Sequence, residues 1–192
     1  MSDDSLPAQK ESRNQPFTIK HLISIGFAVG VTVLIFVFRD HIRALDELAY
    51  LGGFLAMLIG NATILLPVPG LVFVFALGGT LNPLLVALTA APGAALGEMT
   101  GYAAGYGGSA IIDNWKLYER LEIWMKRYGL LVIVVLAAIP NPVFDLAGVV
   151  AGALRMKWWR FLLAALAGKL IQALFIAYAG ALSLDWVRGL LA

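Results

Sequence analysis

Apolar residues dominate this chain in long stretches, and proline, glycine and charge break those stretches in a recurring order. Leu22–Phe38 is the first stretch, about 25 Å long as a helix at 1.5 Å per residue, and it predicts a transmembrane helix. Arg39–Glu47 follows as a short polar loop. Between Glu47 and Glu98 no charged residue occurs, roughly twice the length that one spanning helix needs. Pro67-Val68-Pro69-Gly70 interrupts that stretch. Proline removes a backbone donor and clashes with the preceding turn, so a doubled proline ends a helix. In lipid the freed backbone groups must be buried in protein or line a wet cavity. A re-entrant hairpin is therefore expected, down through Leu51–Leu66 and back through Leu71–Gly79.

Asn82-Pro83 opens the next expected span, Leu84 to Ile112. It carries Gly93, Gly97, Gly101 and Gly105 on one helix face. Small residues at this spacing let helices approach closely in lipid, and the ladder also offers a face for a homo-oligomer. From Asp113 to Tyr128 the pattern changes. Trp115, Tyr118, Leu121, Trp124, Met125 and Tyr128 recur at three-to-four spacing among Lys116, Glu119, Arg120, Glu122, Lys126 and Arg127. That predicts an amphipathic helix lying in the membrane interface.

The order of features then repeats. Gly129–Ile139 is apolar, Pro140-Asn141-Pro142 breaks it, Val143–Ala153 returns, and Phe161–Leu184 is a last span. With Pro67-Val68-Pro69 set over Pro140-Asn141-Pro142, Gly79 falls on Gly152 and Leu81 on Leu154. After two residues of slippage, Gly97-Glu98 meets Gly168-Lys169. The expected fold is an all-α membrane protein: an inverted repeat of two re-entrant helical hairpins, each followed by a transmembrane helix. An N-terminal transmembrane helix and the interfacial amphipathic helix complete it. Residues 1–20 are expected as a disordered tail and residues 21–192 as one membrane domain. Within it, repeat one covers about 48–112, the amphipathic helix 113–128 and repeat two about 129–184. Paired broken segments in two halves point to a transporter-type binding site.

Charge sets the orientation. With the N-terminus inside, Lys10, Arg13, Lys20, Lys116, Arg120, Lys126, Arg127, Arg155, Lys157 and Arg160 are cytoplasmic, against Arg39, Arg43 and Arg188 outside. This is the positive-inside bias, and the two hairpins then enter from opposite faces. No small-residue cleavage site follows Phe38, so the first helix reads as an uncleaved anchor.

Composition narrows the chemistry. The chain is 60% hydrophobic and 14% charged, against about 25% charged in soluble domains. It has no cysteine, which excludes disulfides, thiolate metal sites and cysteine nucleophiles. His21 and His41 flank the first span and read as interfacial residues, so no metal or cofactor is expected. The net charge of +2 gives no ground for nucleic acid. No His-Glu-x-x-His, Gly-x-Ser-x-Gly or P-loop occurs, and Ser109 has no base beside it in sequence, so an enzyme is not expected.

Three ionisable residues fall at membrane depth: Glu98, Asp145 and Lys169. Charges there are costly and mark paired or functional sites. Glu98 and Lys169 hold related places in the two repeats and are candidates to pair. Asp145 stands just past the second break, either to carry a proton or to cap the broken helix. Asn61, Asn141, Asn82 and Gln172 can bridge freed backbone groups or line a polar path. Arg155, Lys157 and Arg160, with Trp158 and Trp159, form a basic corner suited to anionic headgroups.

These residues resemble the DedA family, within the wider group of VTT or SNARE-associated domain membrane proteins. The matching pieces are Pro67-Val68-Pro69-Gly70, the run from Gly97-Glu98 through Gly101-Tyr102 to Gly105, Ile139-Pro140-Asn141-Pro142 leading to Ala151-Gly152, then Trp159-Arg160-Phe161 and Gly168-Lys169. The resemblance spans roughly Leu51 to Gly180. It implies a lipid translocase or scramblase for phospholipid or polyprenyl phosphate in a bacterial plasma membrane, coupled to protons in some members. The alternative of similar build is a small-solute or ion secondary transporter. Members often carry carboxylates where this chain has Asn61 and Leu71, and arginines where it has Ala137 and Val143. That part of the family's pattern is not carried over.

Overall fold

The computed structural model describes residues 46–62, 70–108, 115–141 and 143–191, with side chains from 48 to 184. The first span, both histidines, Pro67, Pro69, Pro142 and Ser109 lie outside the described residues. Among the described residues every regular element is an α-helix: α1 (Asp46–Ala62), α2 (Gly70–Thr80), α3 (Pro83–Gly97), α4 (Met99–Tyr106), α5 (Trp115–Tyr128), α6 (Leu130–Ala138), α7 (Val143–Ala153) and α8 (Trp158–Leu191).

Among the described residues, two helical units are long and apolar enough to cross a membrane. One is Pro83–Tyr106, which joins α3 and α4 through Glu98, and the other is Trp158–Leu184 within α8. The first begins where Asn82 accepts hydrogen bonds from the amides of Leu84 (3.0 Å) and Leu85 (3.3 Å), with Pro83 inside the first turn. Asn82 is thus a helix cap. The unit ends at Tyr106, earlier than the expected Ile112. Gly107 and Gly108 follow, and Gly108 takes the left-handed conformation (φ 70°) that terminates a helix cheaply only at glycine.

The spans α3 and α8 cross on Ala87, Ala91 and Ala173, all buried, where alanine lets two backbones come together. The shorter helices are seated crosswise. α1 lies on α3, and α6 lies on α8. The returning limbs change sides: α2 lies on α8, and α7 lies on α4. Glycines permit each contact. A methyl group at Gly97 would stand 2.6 Å from Leu58 O of α1, and one at Gly168 would stand 2.5 Å from the Ala137 Cβ of α6.

The glycine ladder is therefore spent within the chain. Gly93 and Gly97 face α1, while Gly101 and Gly105 face α7, and all four are buried. The four positions that the sequence offers as a face for a homo-oligomer are packed within one chain.

The amphipathic helix α5 packs one edge on the rest of the chain. Leu121 and Met125 are buried against Ile133, Phe144 and Phe161, with Leu117 and Tyr118 packed beside them. Trp115, Ile123, Trp124 and Tyr128 are exposed. One apolar edge of α5 docks on α6 and α7 and the other is left exposed.

Candidate ionic centre between the broken helices

Glu98 occupies the one residue that separates α3 from α4. Its backbone stays helical (φ −64°, ψ −17°), and its side chain reaches α8. There Lys169 Nζ lies 2.7 Å from Glu98 Oε1, with side chains 8% and 3% exposed. Asn61, at the last turn of α1, accepts a hydrogen bond from Lys169 Nζ at 2.8 Å through Oδ1. The Asn61 amide nitrogen donates back to Met57 O at 2.8 Å, which fixes the amide's orientation. The face of Phe144 lies 4.8 Å from the same ammonium, a cation–π contact from α7.

Side chains from α1, α7 and the α3–α4 joint thus converge on one lysine of α8. Thr100 fastens the edge of the cluster by donating to Gly97 O (2.9 Å) and approaching Ala62 O (3.1 Å). Gln172, one turn further along α8, is buried. Asp145 belongs to the first turn of α7, beside Phe144. It is exposed, and it is next in sequence to the Phe144 ring that covers Lys169.

Of the five candidates read from the sequence, Asn61, Glu98 and Lys169 are brought into direct contact, and Asp145 joins them at the rim. Asn141 does not serve this cluster. Pro140 has no N–H to give to Leu136 O, and the Asn141 amide donates there instead at 2.9 Å, and to Ile139 O at 2.7 Å. Asn141 replaces the missing donor of its own break. Pro140 is exposed next to it.

Sequence reasoning did not single out Phe144 or Tyr102. Tyr102 donates to Met156 O and stacks on Tyr106 (6.1 Å) and Phe161 (5.2 Å), and Phe161 stacks on Phe144 at 6.5 Å. An aromatic column therefore runs from the ionic centre to Arg155, whose guanidinium covers Tyr106 at 4.6 Å. The available signal was spacing: Tyr102 and Tyr106 follow Glu98 at four-residue intervals, which places all three on one helix face.

The VTT domain matches residues 68–182, more than half of the chain and nearly all of the helices that build this centre. The chain belongs to the VTT-domain family. This VTT protein is 35% identical over 83 residues to the vacuole membrane protein KMS2 of Arabidopsis thaliana, covering 38% of this chain and 20% of that one. It is 32% identical over 124 residues to the vacuole membrane protein KMS1 of the same plant, covering 50% and 30%. The VTT chain thus spans less than a third of the length of these curated relatives. No solved structure matches it. Membership agrees with the DedA resemblance, and makes this VTT chain a helical membrane protein.

Proposed function

We propose that this membrane protein is a lipid translocase or scramblase, passing a phospholipid headgroup along a partly hydrated path between two re-entrant hairpins. The observation that carries the reading is the Asn61–Glu98–Lys169 cluster with Asp145 at its rim. A buried ion pair is a weak source of stability, since apolar residues of equal volume do as well or better. Three polar side chains gathered between the membrane helices therefore point to a path that must accommodate polar groups. A phosphate carried through bare hydrocarbon would meet a prohibitive barrier.

The exchanged limbs support an inverted repeat. Helix α1 stands to α3 as α6 stands to α8, and α2 stands to α8 as α7 stands to α4. Glycines at related positions serve related contacts, Gly97 beneath α1 and Gly168 beneath α6. Such repeats place their sites where the halves meet. The resemblance to DedA proteins favours a lipid cargo and a bacterial plasma membrane, with the N-terminus cytoplasmic.

Purified protein in liposomes is expected to speed the exchange of fluorescent phospholipid between leaflets. If no headgroup moves faster than in protein-free liposomes, the reading fails and a solute or ion carrier of the same build replaces it. Orientation is tested separately in the cysteine-free chain. Single cysteines at Asp46 and Ser183 are expected to react with an impermeant thiol reagent from outside, and cysteines at Ser2 and Glu119 to stay unlabelled. Labelling at position 119 reverses the topology.

A further inference from the structure

We infer that the groove between α1 and α3 is the seat of this chain's own first span, Leu22–Phe38, and that Thr32 supplies there a hydrogen-bond donor that α3 lacks.

The groove has a volume of about 480 Å³ and is lined by Tyr50, Leu51 and Phe54 of α1 and by Leu85, Thr89 and Pro92 of α3. Its surface is almost wholly apolar, and Leu51 and Leu85 stand exposed on its two sides. Helix α3 has a gap in its own bonding at this place. Pro92 has no N–H to give to Leu88 O. The neighbouring Thr89 hydroxyl donates to Leu85 O (2.9 Å) and to Val86 O (3.1 Å). A carbonyl without its in-helix donor at membrane depth must be satisfied from elsewhere in the protein. A lipid chain can fill an apolar groove, but it donates nothing.

The first span lies outside the described residues, and its sequence and tether fit the groove. Helices α1 and α3 run in the same direction, with Phe54 O against Gly93 and Leu58 O against Gly97. Only Arg39–Leu45 separates the span from Asp46 at the start of α1, one turn before Tyr50. That linker reaches at most about 28 Å, short of a hydrocarbon core of about 30 Å, and Arg39, Asp40 and Arg43 keep it at the surface. The span is therefore antiparallel to both helices and tethered beside the groove. Ser24, Ala28 and Thr32 recur at four-residue spacing on one helix face, which lets helices approach closely in lipid. Thr32 lies about 9 Å from the Phe38 end, and Leu88 about 8 Å from the Pro83 end of α3, at 1.5 Å per residue. The hydroxyl and the open carbonyl thus come to one depth. The same antiparallel register sets Ser24 against Leu96.

The test uses the full cysteine-free chain in native membranes, with paired cysteines oxidised and the linked peptides read by mass spectrometry. Ser24→Cys with Leu96→Cys is expected to link within one chain. Ser24 is small and Leu96 exposed, so neither cysteine disturbs buried packing. Leu22→Cys with Leu96→Cys is expected to stay unlinked, because residues two apart lie on opposite sides of a helix. Thr32→Val keeps the shape and removes the donor. It is expected to lower the Ser24–Leu96 yield about threefold, the worth of an average side-chain hydrogen bond within a membrane. Pro92→Ala gives Leu88 O its own donor, so in that background Thr32→Val is expected to cost nothing. Links between two chains, seen as dimers, would put a second copy in the groove, and no link at all would leave it to lipid. Either result overturns the inference, as does an equal yield from the Leu22 pair. An undiminished yield in Thr32→Val, or a loss that persists with Pro92→Ala, overturns the part given to Thr32.

Discussion

Lys169→Met is expected to destabilise the fold by about 3–5 kcal/mol, the penalty for leaving a buried charge without its partner. Glu98 is 3% exposed, and among the described residues Lys169 is the basic group set against it. Methionine fills much the same volume, so the loss isolates the charge and leaves packing nearly intact. The double variant Glu98→Leu, Lys169→Met is expected to recover most of the stability, because an apolar pair needs no counter-charge. Thermal unfolding in detergent, followed by size-exclusion of the surviving protein, measures both. A single variant as stable as wild type would show that Glu98 carries no charge in need of Lys169. A double variant no better than the single would show that the two do not act as a unit. If the double variant folds, its lipid exchange separates what the pair does for transport from what it does for structure.

Two alanine substitutions on one glycine face should have opposite outcomes. Gly105→Ala is expected to cost about 2–3 kcal/mol, because its methyl would be driven into Val149 O on α7 and rigid backbone would have to move. Gly101→Ala is expected to be neutral, or to stabilise by up to about 1 kcal/mol. Its methyl would stand 3.4 Å from Asp145 O, an ordinary contact, and alanine is the better helix former. The same unfolding measurement reads both. Equal losses at the two positions would mean that α4 and α7 do not approach as described.

The difference between Gly101 and Gly105 marks how far sequence carries. Helix limits near Ala153, Tyr128 and Pro83 were legible because proline, glycine and charge announce them locally. The ends at Gly107-Gly108 were missed because apolar character continues past them to Ile112. Glu98 and Lys169 could be paired in advance, since a lone charge in a long apolar run needs an opposite one. Asn61 as the second partner of Lys169 was not legible, because an amide can satisfy itself almost anywhere, and here half of it does, on Met57 O. Asn141 shows the same ambiguity resolved the other way. Neither could the sequence divide the apolar edge of α5 into a docked part and a free part, because Leu121 and Trp124 differ only in what happens to stand opposite.

The exchange of limbs also sets an order of events during synthesis. When α1 through α4 have left the ribosome, α1 can settle on α3, but α2 has no α8 to rest on and the Gly105 face of α4 has no α7. The early half must wait in the bilayer with these faces turned to lipid, held by Asn82 and the contacts among α1, α2 and α3. Glu98 waits as well, without its counter-charge, until Lys169 is inserted some seventy residues later. Helix α8 is the one that completes both halves, so a chain cut before Trp158 leaves α2 and α6 without their shared support.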